Sequence, residues 1–489
     1  MGAITVDAVK EPVMNADAAR DCGCSTSGAV RGAGAPAEVR VNTCFLDSLT
    51  VTSYFGSDEM RASFNDRSLM QSWLDVEAAL ARAQGSLGLI PSSAGAVITA
   101  NARIEKLDFP GIAAEAARTS HPLVPLIRAL VRVCGEPAGG YVHLGSTTQD
   151  VMDTGFVLCS RTGLDAVERQ CRELARILRK LSIRYRNTVM AGRTHGQQAL
   201  PTTFGLRVAG WYDEMLRHLD RIAELRPRLL TGSFGGAAGT MAGYGPKAIE
   251  LRAAVMRELG LNVPLTSWHS NQDRFGEAIS LFGLIASTGE KIARELYFLG
   301  RTEIAEAFES QGEGQVGSST MPHKQNPIRC EAIIGAAATL RAQVPLAQGA
   351  MVAQDDRDMG SGMILWKLVP ESFILLGGIL DRLVAVVGTM GVDTARMRHN
   401  LHITGGLIVS EAVMLKLAER IGREHAHHAV SEASRQAIAS HRPFADCLRE
   451  HPALAGRISA ADLQGLLDPE HYIGAAAEVV DQTILSREV

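Results

Sequence analysis

The sequence predicts an all-α fold, because helical periods of apolar residues dominate it and strand-like alternation is nearly absent. The chain has 489 residues, of which 46% are hydrophobic and 21% are charged, and this balance is typical of a globular protein with a large core. Aromatic residues reach only 5%, whereas glycine occurs 48 times, which favours closely packed helices. Several helices are too long and too apolar to be stable alone, so we expect a helical bundle that is extended by oligomerisation.

The helices are predicted from their apolar period and their end signals. The long segments are 66–88, 149–185, 201–227, 271–309 and two more that follow Pro327 and Trp366. Asp66 and Thr148 are the expected N-caps of the first two segments. Gly276, Gly283 and Gly289 lie inside the segment 271–309, and each costs roughly 1 kcal/mol in a helix interior. We therefore expect neighbouring helices to approach each other closely at these glycines.

The organisation of the chain is predicted in four parts. Residues 1–40 are rich in Ala, Gly, Asp and Val without a sustained apolar period, and we interpret them as a mobile N-terminal extension. An N-terminal helical domain is expected over 41–120, a central long-helix bundle domain over 121–370, and a C-terminal helical domain over 371–489.

Charge and hydropathy argue against nucleic acid and membrane as partners. Lys and Arg number 49 and Asp and Glu number 53, so the chain has no basic footprint for nucleic acid. The most apolar stretch, 373–392, is interrupted by Asp381 and Arg382, which argues against a membrane span. Eight scattered cysteines and no visible secretory leader predict a protein of the reducing cytoplasm.

Three polar, glycine-containing segments differ from ordinary connectors. They are 143–150 (HLGSTTQD), 193–198 (RTHGQQ) and 317–327 (GSSTMPHKQNP). We expect each to precede a helix directly, with Asn326 as an N-cap and Pro327 at the first helical position. Helix N-termini attract carboxylates and phosphates. Three ordinary capped loops are the alternative, but together the segments favour a single anion site.

These segments carry a family resemblance. The segment 317–327 resembles the signature of the aspartase/fumarase superfamily, and the other two match the remaining blocks of that family in order and spacing. The resemblance covers about residues 50–440 and is strongest to the branch of 3-carboxy-cis,cis-muconate cycloisomerase. It implies a three-domain, all-α fold and a homotetramer, in which the central helices form one bundle and each active site is built from three chains.

The resemblance also implies residue roles. Ser318 would be the general base, and His195 would be the general acid or a proton relay. The residues implied in substrate binding are His143, Ser146, Thr147, Thr148, Thr194, Gln198, Lys324, Asn326 and Arg357. We expect Lys324 and the helix N-terminus at Pro327 to lower the pKa of the serine hydroxyl. Glycines in the run 311–321 predict a loop that closes over the substrate.

The implied reaction is a base-initiated β-elimination from a substituted succinate, which yields fumarate. Gly362 and Trp366 stand where adenylosuccinate lyases hold a phosphate, so the sequence favours a small substrate. Our first choice is nitrosuccinate, which would give fumarate and nitrite. The alternatives are a 3-carboxy-cis,cis-muconate cycloisomerase, a less favoured adenylosuccinate lyase, and a non-catalytic protein that reuses the fold.

Neither a cofactor nor a metal is expected. The G-x-G-x-x-G run at 312–317 follows a predicted helix rather than a strand, which argues against dinucleotide binding. Cys22 and Cys24 lack a second pair of metal ligands. The predicted partners are therefore a small dicarboxylate substrate and further copies of the same chain.

Overall fold

The computed structural model describes residues 46, 48, 51–312, 317–454, 457 and 459–487. The predicted extension 1–40, with Cys22 and Cys24, lies outside these residues. Within the described part the α-helices are α1 (Thr52–Phe55), α2 (Asp58–Phe64), α3 (Asp66–Ser86), α4 (Ser92–Asn101), α5 (Phe109–Thr119), α6 (Leu123–Cys134), α7 (Thr148–Arg184), α8 (Phe204–Leu229), α9 (Ala248–Leu259), α10 (Asp273–Leu299), α11 (Ile328–Gly349), α12 (Met359–Thr389), α13 (Thr394–Leu401), α14 (Ser410–Ile421), α15 (Arg423–Ser440), α16 (Phe444–Glu450), α17 (Ala460–Leu466) and α18 (Ala476–Leu485). The all-α prediction is confirmed.

The strands of the described part form two small antiparallel pairs. Strands β1 (Val189–Thr194) and β2 (Gln197–Thr203) make a hairpin, and β3 (Ala307–Phe308) pairs with β4 (Gly391–Val392). The segment 193–198 therefore lies in a hairpin, and the prediction that it directly precedes a helix is wrong. Helix α8 begins only at Phe204, where the Thr203 hydroxyl accepts a hydrogen bond from the N–H of Leu206 at 3.1 Å.

The N-caps of α3 and α7 lie one residue before the predicted positions. Asn65 caps α3, since its side-chain oxygen accepts the N–H of Ser68 at 3.0 Å. Thr147 is the N-cap of α7, and Thr148 is its first residue. Asn65 and Thr147 both have extended backbones, whereas the residue after each is already helical. Asp66 instead places its negative charge in the first turn of α3, where the helix dipole favours it.

The central bundle is formed by α7, α8, α10, α11 and α12, which pack along their lengths. A Cβ atom added to Gly276 would lie 2.6 Å from Met351 Sδ, and one added to Gly283 would lie 2.8 Å from Val344 Cγ2. The expected close approach of helices at these glycines is confirmed. The same two contacts show that α11 runs antiparallel to α10.

Helix α10 ends ten residues before the end predicted for this segment. Its last residue is Leu299, and the chain then folds back so that the Glu306 N–H donates to the Leu299 carbonyl at 2.9 Å. The apolar residues that continue the helical period past Leu299 belong instead to β3, which pairs with β4.

The bundle has two ends that matter for the site. Helices α7, α10 and α12 begin at one end, which we call the threonine end. Gln149 on α7 donates to the carbonyl of His269, which lies just before α10. Arg357, which lies just before α12, contacts Thr147 at the start of α7. Helix α10 ends and α11 begins at the other end, together with the β1–β2 hairpin, and we call it the hairpin end. Since α10 has 27 residues, about 40 Å of helix separates the two ends.

Helix α12 is long and apolar enough to cross a membrane by length and composition alone, but most of its apolar window is buried in the protein. Arg382, which interrupts the apolar run, is itself buried and donates to the Gly378 carbonyl at 2.5 Å. Asp381 accepts a hydrogen bond from Gln170 of α7. Helix α12 is thus a core helix, and the two charges that interrupt its apolar run are held by neighbouring groups.

A second apolar cluster lies in the C-terminal part of the described chain. It is built from α14 to α17 and contains Val413, Leu417, Phe444 and Leu463, separately from the main core. The boundary expected at 370–371 falls inside the continuous helix α12. The four-part division of the chain remains a prediction.

Candidate active site

At the threonine end, Arg357 meets the first predicted segment. Its Nη2 donates to Thr147 Oγ1 at 2.9 Å and lies 3.4 Å from the Ala237 carbonyl oxygen. Thr147 is the N-cap of α7 but uses its hydroxyl for no cap hydrogen bond. The start of a long helix, two threonine hydroxyls and a guanidinium therefore lie together at this end, and such groups bind a carboxylate.

Asp150 anchors a glycine-rich loop to α7. Its carboxylate is 2% exposed and accepts the N–H groups of Gly235 and Gly236, both at 2.8 Å. His269 Nε2 lies 2.9 Å from the same carboxylate, and so Asp150 is fully occupied by protein groups. It therefore positions the loop instead of binding a ligand. The role of Asp150 was not predicted from the sequence, because the loop that it holds lies 85 residues away.

Tyr244 joins this anchor to Ser146. Its hydroxyl lies 3.1 Å from Ser146 Oγ and 3.1 Å from Asp150 Oδ2. Burial, followed by the charge of Asp150, raises the pKa of Tyr244, so this hydroxyl stays protonated and donates. The predicted binding residue Ser146 is thus held in place by a neutral tyrosine.

His143 is paired with a carboxylate that the sequence analysis did not assign to the site. Its Nδ1 lies 2.6 Å from Oε1 of Glu77, which is only 2% exposed. Burial lowers the pKa of His143, but the hydrogen bond and charge of Glu77 and the charge of Asp150 outweigh it, and the net pKa is raised. His143 is therefore a cation over a wider pH range than a free histidine.

At the hairpin end, His195 and Gly196 form the turn between β1 and β2. Both have positive φ, 52° and 78°, and Thr194 pairs with Gln197 across them. Two consecutive residues of this kind make the two-residue turn that fits the twist of a hairpin. His195 is exposed at the tip, where its imidazole is available to a substrate.

The part of the hairpin next to this turn is fixed by a buried ion pair. Arg193 donates to both oxygens of Glu306, at 2.8 and 2.6 Å, and Glu306 is fully buried. Asn400 donates to Glu306 Oε1 at 2.7 Å, and its carbonyl accepts from Gln198 Nε2 at 3.0 Å. Through this hydrogen bond the predicted residue Gln198 holds β2 against α13.

Ser318 lies at the hairpin end in a loop of which residues 313–316 fall outside the described part. Its Oγ accepts the N–H of Met321 at 3.1 Å and that of Thr320 at 3.4 Å. A serine that loses its proton becomes an alkoxide, and two N–H groups aimed at that oxygen stabilise the charge. Lys324 is exposed nearby, and its backbone N–H donates to the Met321 carbonyl at 3.0 Å.

The start of α11 is capped differently from the prediction. Helix α11 begins at Ile328 with Pro327 as N-cap, and the buried carboxylate of Glu309 accepts the N–H groups of Arg329 and Cys330 at 3.1 and 3.0 Å. The prediction of Asn326 as N-cap is wrong. Glu309 therefore uses these two donors and places a negative charge at this helix end. Asn326 is left with a side chain that is not engaged in capping.

The predicted site residues therefore divide into two groups within one chain. His143, Ser146, Thr147, Thr148 and Arg357 lie at the threonine end. His195, with its neighbours Thr194 and Gln198, lies at the hairpin end, and so do Ser318, Lys324 and Asn326. About 40 Å of helix lies between the groups, so one chain does not bring them together. Among the described residues, no group of three or more His, Cys, Asp or Glu side chains is placed to hold a metal ion.

Helical architecture and these polar segments define a class of lyases, and comparison with known proteins places the chain within it. A family model described as "Lyase" matches residues 54–341, and one described as "Adenylosuccinate lyase C-terminus" matches 406–483. The chain belongs to the aspartase/fumarase superfamily, near the branch of 3-carboxy-cis,cis-muconate cycloisomerase.

Individual relatives align with about nine-tenths of this chain. The chain is 42% identical to N-acetyl-S-(2-succino)cysteine lyase of Dickeya dadantii, and the alignment spans 90% of this chain and 96% of that relative. It is 41% identical to 3-carboxy-cis,cis-muconate cycloisomerase of Pseudomonas aeruginosa, over 88% and 95%. The crystal structure of 3-carboxy-cis,cis-muconate lactonizing enzyme from Pseudomonas putida matches with a TM-score of 0.84 and 40% identity, over 88% and 97%. The chain is thus an enzyme of this superfamily.

Proposed function

We propose that this enzyme removes a β-substituent from a substituted succinate and releases fumarate. The observation that carries the proposal is the environment of Ser318, whose hydroxyl oxygen accepts two backbone N–H groups. A general base of this kind needs its anionic form stabilised, and these N–H groups act on that form.

The chemical step uses groups of the hairpin end. Ser318 takes the proton from the carbon next to a substrate carboxylate, and negative charge moves onto that carboxylate. Lys324 and Asn326 stabilise this charge through a cation and an amide donor. His195, exposed at its turn, gives a proton to the leaving group or relays one.

Binding of the substrate carboxylates uses the threonine end. Thr147, Thr148 and Ser146 supply hydroxyls at the start of α7, and Arg357 supplies a guanidinium 2.9 Å from Thr147. His143 adds positive charge, because Glu77 keeps its pKa raised. Thr194 and Gln198 extend the set of donors from the hairpin of another chain.

We also propose a homotetramer with shared sites, and the separation of the two ends supports it. A complete site needs the threonine end of one chain and groups from the hairpin ends of other chains, since about 40 Å of helix separates the two ends within a chain. The bundle has apolar side chains available for such contacts, among them the half-exposed Leu284 of α10 and Leu346 of α11.

Several leaving groups are candidates for this reaction. Nitrosuccinate is the substrate that the sequence favours, while relatives are named for a succinylated cysteine, carboxymuconate and adenylosuccinate. The last is disfavoured by Gly362 and Trp366, which offer no side-chain donor for phosphate. A cycloisomerase is the second candidate, because a relative and a solved structure with that activity in their names are each at least 40% identical to this chain.

A panel of substrates tests the proposal. The purified enzyme is mixed with nitrosuccinate, a thioether of succinate, adenylosuccinate and 3-carboxy-cis,cis-muconate, and fumarate is followed by its absorbance near 240 nm and by chromatography. We expect fumarate from at least one substituted succinate and a large loss of rate in Ser318→Ala. Loss of carboxymuconate with no fumarate from any succinate would favour the cycloisomerase instead. The matched control is Ser319→Ala, which changes the neighbouring serine.

A further inference from the structure

A polar cavity of about 240 Å³ lies among α3, α7, α9 and the end of α4. Three arginines line it, which are Arg82 of α3, Arg103 just after α4 and Arg161 of α7. Two acids, Asp75 of α3 and Glu258 of α9, lie in the same wall. None of the lining residues is among those proposed to bind the substrate or to take part in the reaction.

The cavity lies apart from the substrate site along α7. About 20 Å of helix separates Arg161 from Thr148 at the threonine end. In the other direction, about 35 Å of helix separates Arg161 from Arg184, the last residue of α7. A ligand in this cavity would therefore occupy a site of its own, distinct from the carboxylate-binding groups at Thr147 and Arg357.

Most hydrogen-bond donors of the three arginines are not used by the described chain. Arg82 Nε donates to Glu258 Oε2 at 2.9 Å, and Arg161 Nη1 donates to the Leu259 carbonyl at 2.7 Å. The guanidinium of Arg103 donates no hydrogen bond within the described part of the chain and is exposed. Because a guanidinium carries several N–H groups, these side chains have donors left for a ligand.

The charges of the wall sum to an excess of one positive charge. Burial raises the pKa of Asp75, and the hydrogen bond from Gln71 and the charges of Arg103, Arg82 and Arg161 offset this only in part. All three arginines are thus close enough to act on one carboxylate. Since Asp75 and Glu258 compensate only two of the three cations, an additional negative charge is favoured in this cavity.

The shape and the lining of the cavity limit the size of such a ligand. Its volume is several times the roughly 30 Å³ of one water molecule, so it has room for a small organic anion or a phosphate. Ala78, Leu158 and Leu259 add apolar wall, against which a short carbon chain can pack. Guanidinium groups bind carboxylate and phosphate oxygens in pairs, because the spacing of their N–H groups matches these oxyanions.

We propose that this cavity is a second binding site of the enzyme, which takes a small oxyanion with carboxylate or phosphate oxygens. Arg161 is held in place by the Leu259 carbonyl, and Arg103 lies on the exposed side of the cavity. Both supply donors to the anion, while Asp75 opposes its charge and keeps the affinity moderate. The site does not depend on which reaction the enzyme catalyses.

The test is a calorimetric titration with two probes, succinate and inorganic phosphate. It is carried out at low salt in Arg357→Ala, because this substitution damages the carboxylate-binding groups of the threonine end. We expect one anion to bind per chain in Arg357→Ala. Tighter binding of succinate would assign the site to carboxylates, and tighter binding of phosphate would assign it to phosphates.

Two substitutions in the cavity wall should change this affinity in opposite directions. Adding Arg103→Gln to Arg357→Ala should weaken binding by about tenfold, because charge-assisted hydrogen bonds are lost. Adding Asp75→Asn should strengthen binding by about fivefold, because a like charge next to the anion is removed. Arg435→Gln, at an exposed position of α15, is the matched control and should leave the affinity unchanged.

The outcomes also separate this site from the active site. If neither probe binds to Arg357→Ala at millimolar concentration, only the threonine end binds anions and the inference is wrong. Binding that neither Arg103→Gln nor Asp75→Asn changes would place the anion elsewhere and would overturn the inference too. As single substitutions in the otherwise intact enzyme, Arg103→Gln and Arg435→Gln should keep the wild-type kcat, which shows that both variants are folded.

Discussion

At the residue scale, the hydroxyl oxygen of Ser318 is contacted by backbone N–H donors of its own loop and not by the first N–H groups of the helix that follows. The N–H groups of Thr320 and Met321 reach its oxygen, while Glu309 occupies the first N–H groups of α11. Because these donors act on the hydroxyl oxygen, a substitution that removes this hydroxyl removes the base completely.

Ser318→Ala should lower kcat by several orders of magnitude and change KM little, because the carboxylate-binding residues remain. Ser319→Ala should change kcat far less. Steady-state kinetics with a substrate from the panel measure both. If Ser318→Ala keeps more than about a tenth of the wild-type kcat, it has lost less than about 1.4 kcal/mol of transition-state stabilisation, and Ser318 is not the base.

The pairing of His143 with Glu77 predicts a change in pH dependence. In Glu77→Gln the burial of His143 is offset only by the charge of Asp150, so the pKa of His143 falls and its imidazole loses its charge at lower pH. The alkaline limb of kcat/KM should therefore move to lower pH, with KM raised at pH 8 and near wild type at pH 5.5. Glu105→Gln, at an exposed acid, is the control. An unchanged profile would show that the charge of His143 does not matter for binding.

The pair of His143 and Glu77 should also stabilise the folded chain more at low pH than at high pH. The pKa of His143 is higher in the folded than in the unfolded chain, so its stabilising effect is fully present below its unfolded pKa of about 6.5 and is lost as pH rises through the folded value. The difference in Tm between wild type and Glu77→Gln should accordingly be larger at pH 6 than at pH 9.

At the scale of elements, glycines set how closely the bundle helices pack. A Cβ atom on Gly163 of α7 would lie 2.6 Å from Cδ1 of Phe373 on α12, whose ring also stacks on Phe64 and meets Phe282 edge to face. Because these neighbours pack against the ring, we expect an added methyl group to strain the contact between α7 and α12.

Gly163→Ala should therefore lower the free energy of unfolding by about 1–3 kcal/mol, the usual cost of overpacking a core. Gly210→Ala in α8 is the matched control, because nothing lies within 4 Å of the added Cβ and alanine favours a helix by about 1 kcal/mol. Denaturant unfolding measures both. Equal stability of the two variants would contradict the role of Gly163 in close packing.

At the scale of the whole molecule, the proposed active site needs groups from more than one chain, because its residues lie at opposite ends of the bundle. Arg357 and Thr147 lie at the threonine end, and Ser318 lies about 40 Å of helix away. Variants that damage opposite ends should therefore complement each other in a mixed oligomer.

Arg357→Ala and Ser318→Ala should each be nearly inactive, whereas their co-expression with two different affinity tags should yield hybrid oligomers with partial activity. Hybrid sites then combine an intact threonine end of one chain with an intact hairpin end of another. Sedimentation should show a tetramer at micromolar concentration. Inactive hybrids that carry both tags, or a stable active monomer, would contradict the shared site.

Much of the fold was determined by the sequence alone. Apolar periods located the helices α3, α7, α8 and α10 to within a few residues at most ends, and short motifs located three polar segments that belong to the superfamily. These features depend on neighbours within a few turns or on local composition, so they can be inferred without a tertiary structure.

Tertiary contacts decided the remaining features. Glu309 caps α11 across about 20 residues, Asp150 holds a loop about 85 residues away, and Arg193 pairs with Glu306 across 113. None of these pairings has a local signal, because the partners meet only when the long helices pack. The same packing sets which end of the bundle each polar segment occupies.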